Sequence, residues 1–404
     1  MTRFAAVLAV FGLLAAAGCG GSQSGSESRD VLRVLAWGTE GSKLDDMAAR
    51  FTREHPDIDL RITSVTSSAA HEKLLVGIAG GEVPDVAVVG ASNMAALAHT
   101  HALEKAPAEF DQRQFLPAAI DAVQINGTAY GVPWFLDTRV LFYRTDIAAK
   151  AGVTAAPTTW AELKEAARAM QSKSGAKYGI SLPTDSWQIF LPFLYQAGAD
   201  ITDGPRVSLN TPEVAAATAY FKSFVDEGLT PSVVREGFEI APAFVRGTHP
   251  MFISGAWQMR RIREVGGPST DGRWAVAPLP RGRTEASTFG GGIWTVPKGS
   301  SHRKTAWEFV KWMSEPAQQA EWYTAVGALP ASRAAWSLPA LADDPHAQVF
   351  RTQLRTAKRP PALPEWPAIA AAIEVRLDAL VRMHSDGQEM AEQLDAAANS
   401  VGAR

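Results

Sequence analysis

The chain has 404 residues, long enough for two or three domains of ordinary size. Hydrophobic residues make up 46% and charged residues 20%, which suits a large folded core and excludes an intrinsically disordered chain. With 39 basic against 42 acidic residues, the net charge of -3 lacks the basic excess of a nucleic-acid-binding protein, and one cysteine excludes a disulfide framework or a cysteine-based metal site. The unusual feature is 12 tryptophans beside 6 tyrosines. Broad apolar faces in that number serve either a flat ligand or a core.

Arg3 precedes an unbroken apolar run, Phe4–Ala17, too short to span a bilayer; residues 1–18 read as a secretory signal. Ala16-Ala17-Gly18-Cys19 is similar to the lipobox of bacterial lipoproteins, with Ala16 where leucine is commonest. That resemblance implies lipidation of Cys19 and anchoring to the cell membrane on its outer side. The alternative is an ordinary cleaved signal with a bystander cysteine. Residues 19–30 then form the lipidated terminus and a Gly/Ser tether. No later apolar run is long enough to span a bilayer.

From Val31 the pattern alternates strand and helix. Val31–Leu35 is a short apolar run suited to a strand buried on both faces. Ser42 is placed to cap a helix carrying Leu44, Met47, Ala48 and Phe51 at helical spacing, and Pro56 follows it. Residues 59–65 read as a strand, 69–79 as a helix ended by Gly80-Gly81, and 86–89 as a third strand. This is the doubly wound α/β order, in which ligands sit at the carboxyl ends of the strands. Asn126-Gly127 marks a tight hairpin that leads into the run Gly131–Tyr143, whose last part reads as a long strand. Thr159-Trp160-Ala161-Glu162 is a capping box, and further helices are expected at 212–227, 240–246, 305–314, 316–326 and 368–384.

Seven segments then occur in a recognisable order: Trp37-Gly38; Gly81-Glu82-Val83-Pro84-Asp85-Val86; Tyr130-Gly131-Val132-Pro133; Leu141-Phe142-Tyr143-Arg144-Thr145-Asp146; Pro157 to Leu163; Met251 to Trp257; and Gly290-Gly291-Gly292. In this the chain resembles the extracellular solute-binding proteins of ABC importers, specifically the carbohydrate-binding family that includes maltose-binding protein. The resemblance implies a two-lobe periplasmic-binding-protein fold, each lobe a doubly wound α/β sheet with helices on both faces. It implies three hinge crossings, near 137–142, 288–294 and 329–336. The lobes are then 31–138 plus 293–332 and 139–292 plus 333–404. It also implies a monomer that delivers its solute to permease subunits, with no cofactor and no nucleic acid.

A sugar ring needs polar groups for its hydroxyls and an aromatic plane for its C–H face. The resemblance places Asp137 where an acid bonds hydroxyls; the alternative is an acid capping a turn at a crossover. Trp257 and Trp366 fall at stacking positions, or else in a core. Glu40, Trp187 and Gln188 lie in segments that face the cleft. Trp37, Trp134 and Trp294 lie at strand ends or crossovers. Ser92 and Asn93 stand where maltose-binding protein carries aromatic and charged residues; either can bond a hydroxyl, but the change points away from a maltodextrin-specific site and toward a different sugar or a short disaccharide. Gly291, within Gly290-Gly291-Gly292, either brings backbone close to the ligand or lets the hinge bend.

Other functions fare less well. No His-Glu-x-x-His, Gly-x-Ser-x-Gly, Walker or dinucleotide motif is present, and no metal constellation stands out beyond His99 and His101. A secreted glycoside hydrolase would share the acids and aromatics. A glycerophosphodiester receptor would need cationic groups in the cleft, and Arg139 is the one candidate. A structural or signalling lipoprotein is the third alternative.

Overall fold

The computed structural model describes residues 29–38, 41–204, 206–234 and 239–401. Cys19 and Glu40 lie outside them. In chain order the strands are β1 (Asp30–Trp37), β2 (Ile58–Val65), β3 (Val86–Gly90), β4 (Gln124–Ile125), β5 (Thr128–Ala129), β6 (Val132–Thr138) and β7 (Val140–Arg144). They continue with β8 (Thr202–Asp203), β9 (Arg206–Val207), β10 (Met251–Ser254), β11 (Trp274–Ala277), β12 (Ser287–Thr295), β13 (Leu329–Pro330) and β14 (Ala357–Lys358).

The first lobe is built on the sheet β13-β6-β12-β3-β1-β2. Its β2-β1-β3 portion is parallel and is wound by helices Gly41–Glu54 and Ser67–Gly80, as the alternating pattern predicts. Ser42 lies inside the first of these helices, not ahead of it. Val34, Leu35 and Ala36 of β1 and Val86 to Val89 of β3 are each at most 3% exposed, consecutive burial that marks strand segments covered on both faces.

The second lobe has a smaller sheet, β10-β7-β11. Both outer strands run antiparallel to β7, so they are parallel to each other. Helix Trp257–Gly266 connects them. The unit is therefore a parallel crossover with β7 inserted between its strands. Around it, Phe190, Phe193, Phe221, Phe224, Trp366 and Leu377 form a second core beneath helices from both the middle and the end of the chain.

The strand expected to run through residue 139 is divided there. β6 belongs to the first sheet and β7 to the second, and Arg139 is the residue between them. A buried hydroxyl completes this crossing: Ser287 Oγ accepts from Arg139 N at 3.2 Å and donates to Arg139 O at 2.8 Å. Thr138 Oγ1 donates to Thr288 O at 2.8 Å. β12 crosses beside it, pairing with β14 at Ser287–Thr288 and with β6 from Phe289 onward. Beyond β13, helix Pro345–Leu354 lies against strands of both sheets. Among the described residues no helix is long and apolar enough to cross a membrane.

Candidate ligand-binding cleft

A cleft of about 350 Å³ opens where the two sheets meet. The carboxyl ends of β1, β3 and β6 contribute Trp37-Gly38, Gly90 and Leu136-Asp137. The opposite wall is the first turns of helices Trp187–Ala197 and Trp257–Gly266, with Trp187, Gln188 and Trp257. Phe289, Gly290 and Gly291 of β12 also line it, as do Trp322, Val326, Gly327 and Ala328 from the end of helix Pro316–Val326.

Its charged pair sits at the crossing. Arg139 Nη1 donates to Asp137 Oδ2. The Asp137 side chain is 18% exposed and that of Arg139 only 4%. Burial pushes the Asp137 carboxyl up from its ordinary range, against the pull of the guanidinium. Arg139 Cζ also lies 4.9 Å from the Trp257 ring centroid, so the cation stacks on the indole. Trp257 fits only because residue 255 is glycine. A Cβ there would stand 1.9 Å from Trp257 Cζ3 and 2.5 Å from Asp137 Oδ1.

Aromatic rings supply most of the remaining wall. Trp37 Nε1 donates to Val88 O at 3.1 Å, and its ring meets Phe135 edge-on at 5.6 Å. Trp134 lies between Trp294 (4.2 Å) and Trp322 (4.9 Å) in a stack that runs from the core to the cleft. Trp187 N donates to Glu374 Oε1 at 3.0 Å, and its ring stands at 89° on Trp366. Ser92 and Asn93 lie in the short 3-10 turn Ala91–Asn93 that follows β3 and line the cleft beside Gly90.

Two expected platforms are not in the cleft. Trp294 is 0% exposed, packed against Trp134 and Phe309, because β12 is an interior strand with both faces covered. Trp366 is also 0% exposed: the first turn of its helix points into the second core, beneath Trp187. Each supports a ring that reaches the cleft. Gly291 lines it, and its tight neighbours are protein: a Cβ would lie 2.3 Å from Phe135 O, at φ +145°. At Gly292 a Cβ would meet the Phe135 ring at 2.3 Å, so the glycine run leaves room for that ring where β12 pairs with β6.

A family model described as bacterial extracellular solute-binding protein matches residues 46–349. The chain belongs to that family. Among relatives of this solute-binding protein, the maltodextrin-binding protein MdxE of Bacillus subtilis is 22% identical over 387 residues, 92% of this chain and 90% of the relative. The sugar-binding protein MalE of Xanthomonas citri superposes with a TM-score of 0.83 at 27% identity, covering 92% of this chain and 97% of that one. The GacH receptor of Streptomyces glaucescens, solved unliganded and with acarbose, gives 0.84 at 26% identity, covering 92% and 98%. The fold is thus the two-lobe periplasmic-binding-protein architecture, and the family is extracytoplasmic.

Sequence reasoning passed over Phe135, Phe289 and Trp322 as cleft residues of this solute-binding protein. Phe135 sits at a bulge in β6, where the pairing with β12 slips between Gly292 and Ile293, and its ring meets that of Trp134 edge-on at 5.1 Å, so simple alternation does not place it. Trp322 carries no local signal, since the helix around it is apolar on several faces. A more open groove of about 610 Å³ lies on the first lobe, lined by residues such as Lys105, Phe110, Arg113 and Pro133. All its lining residues come from 105–133, so it lies apart from the cleft between the sheets.

Proposed function

We propose that this solute-binding protein captures a neutral carbohydrate, a mono- to oligosaccharide, between its lobes and delivers it to the permease of an ABC importer. The observation that carries the reading is the composition of the cleft. Among the described residues, seven aromatic side chains surround one acid and one base, which are bonded to each other. Indole faces suit the C–H face of a pyranose, and Asp137, Asn93 and Gln188 suit its hydroxyls. Burying on the order of 100 Å² of ring face contributes about 2.5 kcal/mol at ~25 cal/mol/Å². Two or three such contacts, after ordering costs, support micromolar binding at about -8 kcal/mol. The sugar-binding relatives support the same reading.

The phosphodiester alternative is weaker on the same observation. Arg139 is the one cation lining the cleft among the described residues, and Asp137 already neutralises it. A solute touching both walls stabilises the closed arrangement by its differential affinity for it. Attachment through a lipid on Cys19 completes the proposal, and a Cys19→Ser variant is expected in the soluble fraction.

A thermal-shift panel tests the assignment. Neutral mono- and oligosaccharides and glycerophosphodiesters are each added at millimolar concentration. At least one neutral sugar is expected to raise the melting temperature. A shift given only by phosphodiesters, or by nothing, overturns the carbohydrate reading.

A further inference from the structure

Arg139 is placed for more than a structural ion pair. It is 3% exposed. Its guanidinium carries five N–H donors, yet among the described residues its side chain hydrogen-bonds to Asp137 alone. It lines two spaces, the cleft and a cavity of about 70 Å³ bounded by Ser181, Ser254 and Gln258. Among the described residues, Gln258 Oε1 is itself buried without a partner. The guanidinium plane covers Trp257 on one side, and the crowding at Gly255 fixes the indole on another. An acceptor, a set of donors and a ring are thereby held within one rigid group.

Resting on the carbohydrate reading, we propose that Asp137, Arg139 and Trp257 form one electrically neutral clamp that selects uncharged diols and rejects anions. The carboxylate accepts from one ligand hydroxyl, the guanidinium donates to its neighbour, and the indole takes the ring face. Rejection of anions follows from the same arrangement. The charge of Arg139 is already matched, and a second negative group would meet Asp137, whose side chain is only 18% exposed, where screening by solvent is reduced. Lysine cannot replace the arginine here, because a point charge offers neither the planar face over the indole nor the fork of donors.

The test is titration of tryptophan emission with maltose, cellobiose and glucose 1-phosphate in wild type, Asp137→Asn and Arg139→Lys, each checked for folding by its melting curve. Wild type is expected to bind a neutral disaccharide and not glucose 1-phosphate. Asp137→Asn keeps the shape but frees the cation, and its affinity for glucose 1-phosphate should rise at least tenfold. Arg139→Lys should lose at least tenfold in affinity for the disaccharide that binds wild type. An Asp137→Asn protein that binds glucose 1-phosphate no better than wild type refutes the clamp, as does an Arg139→Lys protein with unchanged sugar affinity. If wild type binds neither disaccharide, the sugar that stabilises it in the thermal-shift panel takes their place; failure of that whole panel counts against the carbohydrate reading, and the glucose 1-phosphate arm still decides the clamp.

Discussion

Replacing Gly255 with alanine adds a single methyl group at the most crowded point of the cleft. The new carbon would stand 1.9 Å from Trp257 Cζ3 and 2.5 Å from Cε3. Carbon atoms pack at about 3.5 Å, so the indole must retreat by roughly 1.6 Å. Asp137 Oδ1, also 2.5 Å from the added carbon, must move with it. Such overpacking costs ~1–3 kcal/mol of stability. If the displaced ring gives up on the order of 100 Å² of ligand contact, binding loses about 2.5 kcal/mol, roughly seventyfold. Calorimetric titration with whichever sugar stabilises the wild type reads this directly. Gly290→Ala is the control for stability, since its added carbon meets nothing closer than 3.7 Å. A Gly255→Ala protein that binds the sugar as tightly as wild type would refute Trp257 as a ligand platform.

Three further outcomes are expected. Trp366→Ala removes a fully buried ring and should cost ~3–5 kcal/mol in urea unfolding, whereas Trp187→Ala should cost less stability and more affinity. Gly291→Ala forces a side chain onto φ +145° with its Cβ 2.3 Å from Phe135 O, and should lower the urea midpoint by the equivalent of ~1–3 kcal/mol. Stability should also fall in acid. Burial opposes ionisation of Asp85, but the Arg33 N–H, Ser300 and His302 hold its carboxyl below the ordinary range. A depressed folded pKa stabilises the protein above about pH 4 and ceases to do so as pH falls through the folded value. Melting curves from pH 6 to 2.5 should therefore slope less in Asp85→Asn than in wild type.

Much of this architecture is legible because it is written in local chemistry. The capping box at Thr159 and Glu162 forms, with the Thr159 side chain accepting from Glu162 N at 3.2 Å. Helix Pro316–Val326 has the bounds that its proline and the following Gly327 dictate. The Asn126-Gly127 turn joins β4 and β5. What local pattern misses is which end of a helix or which face of an interior strand meets the cleft. Trp294 and Gly291 share one strand, yet one is sealed in the core and the other lines the site. Since β12 is covered on both faces, alternation carries no mark of the difference. Trp187 and Trp366 both open helices, and only their packing against each other puts one above the other. The resemblance places Asp137 in the cleft, and its partner Arg139 is only two residues on, but the stacking of Arg139 on Trp257 depends on β10 lying beside β7.

The most direct test of the central claim is a crystal structure of the protein soaked with the stabilising sugar. Electron density is expected between the two sheets, with a ring face against the Trp257 indole and hydroxyls on Asp137 and Arg139. Density confined to the groove lined by Lys105, Phe110 and Arg113, with the cleft between the sheets empty, would contradict it.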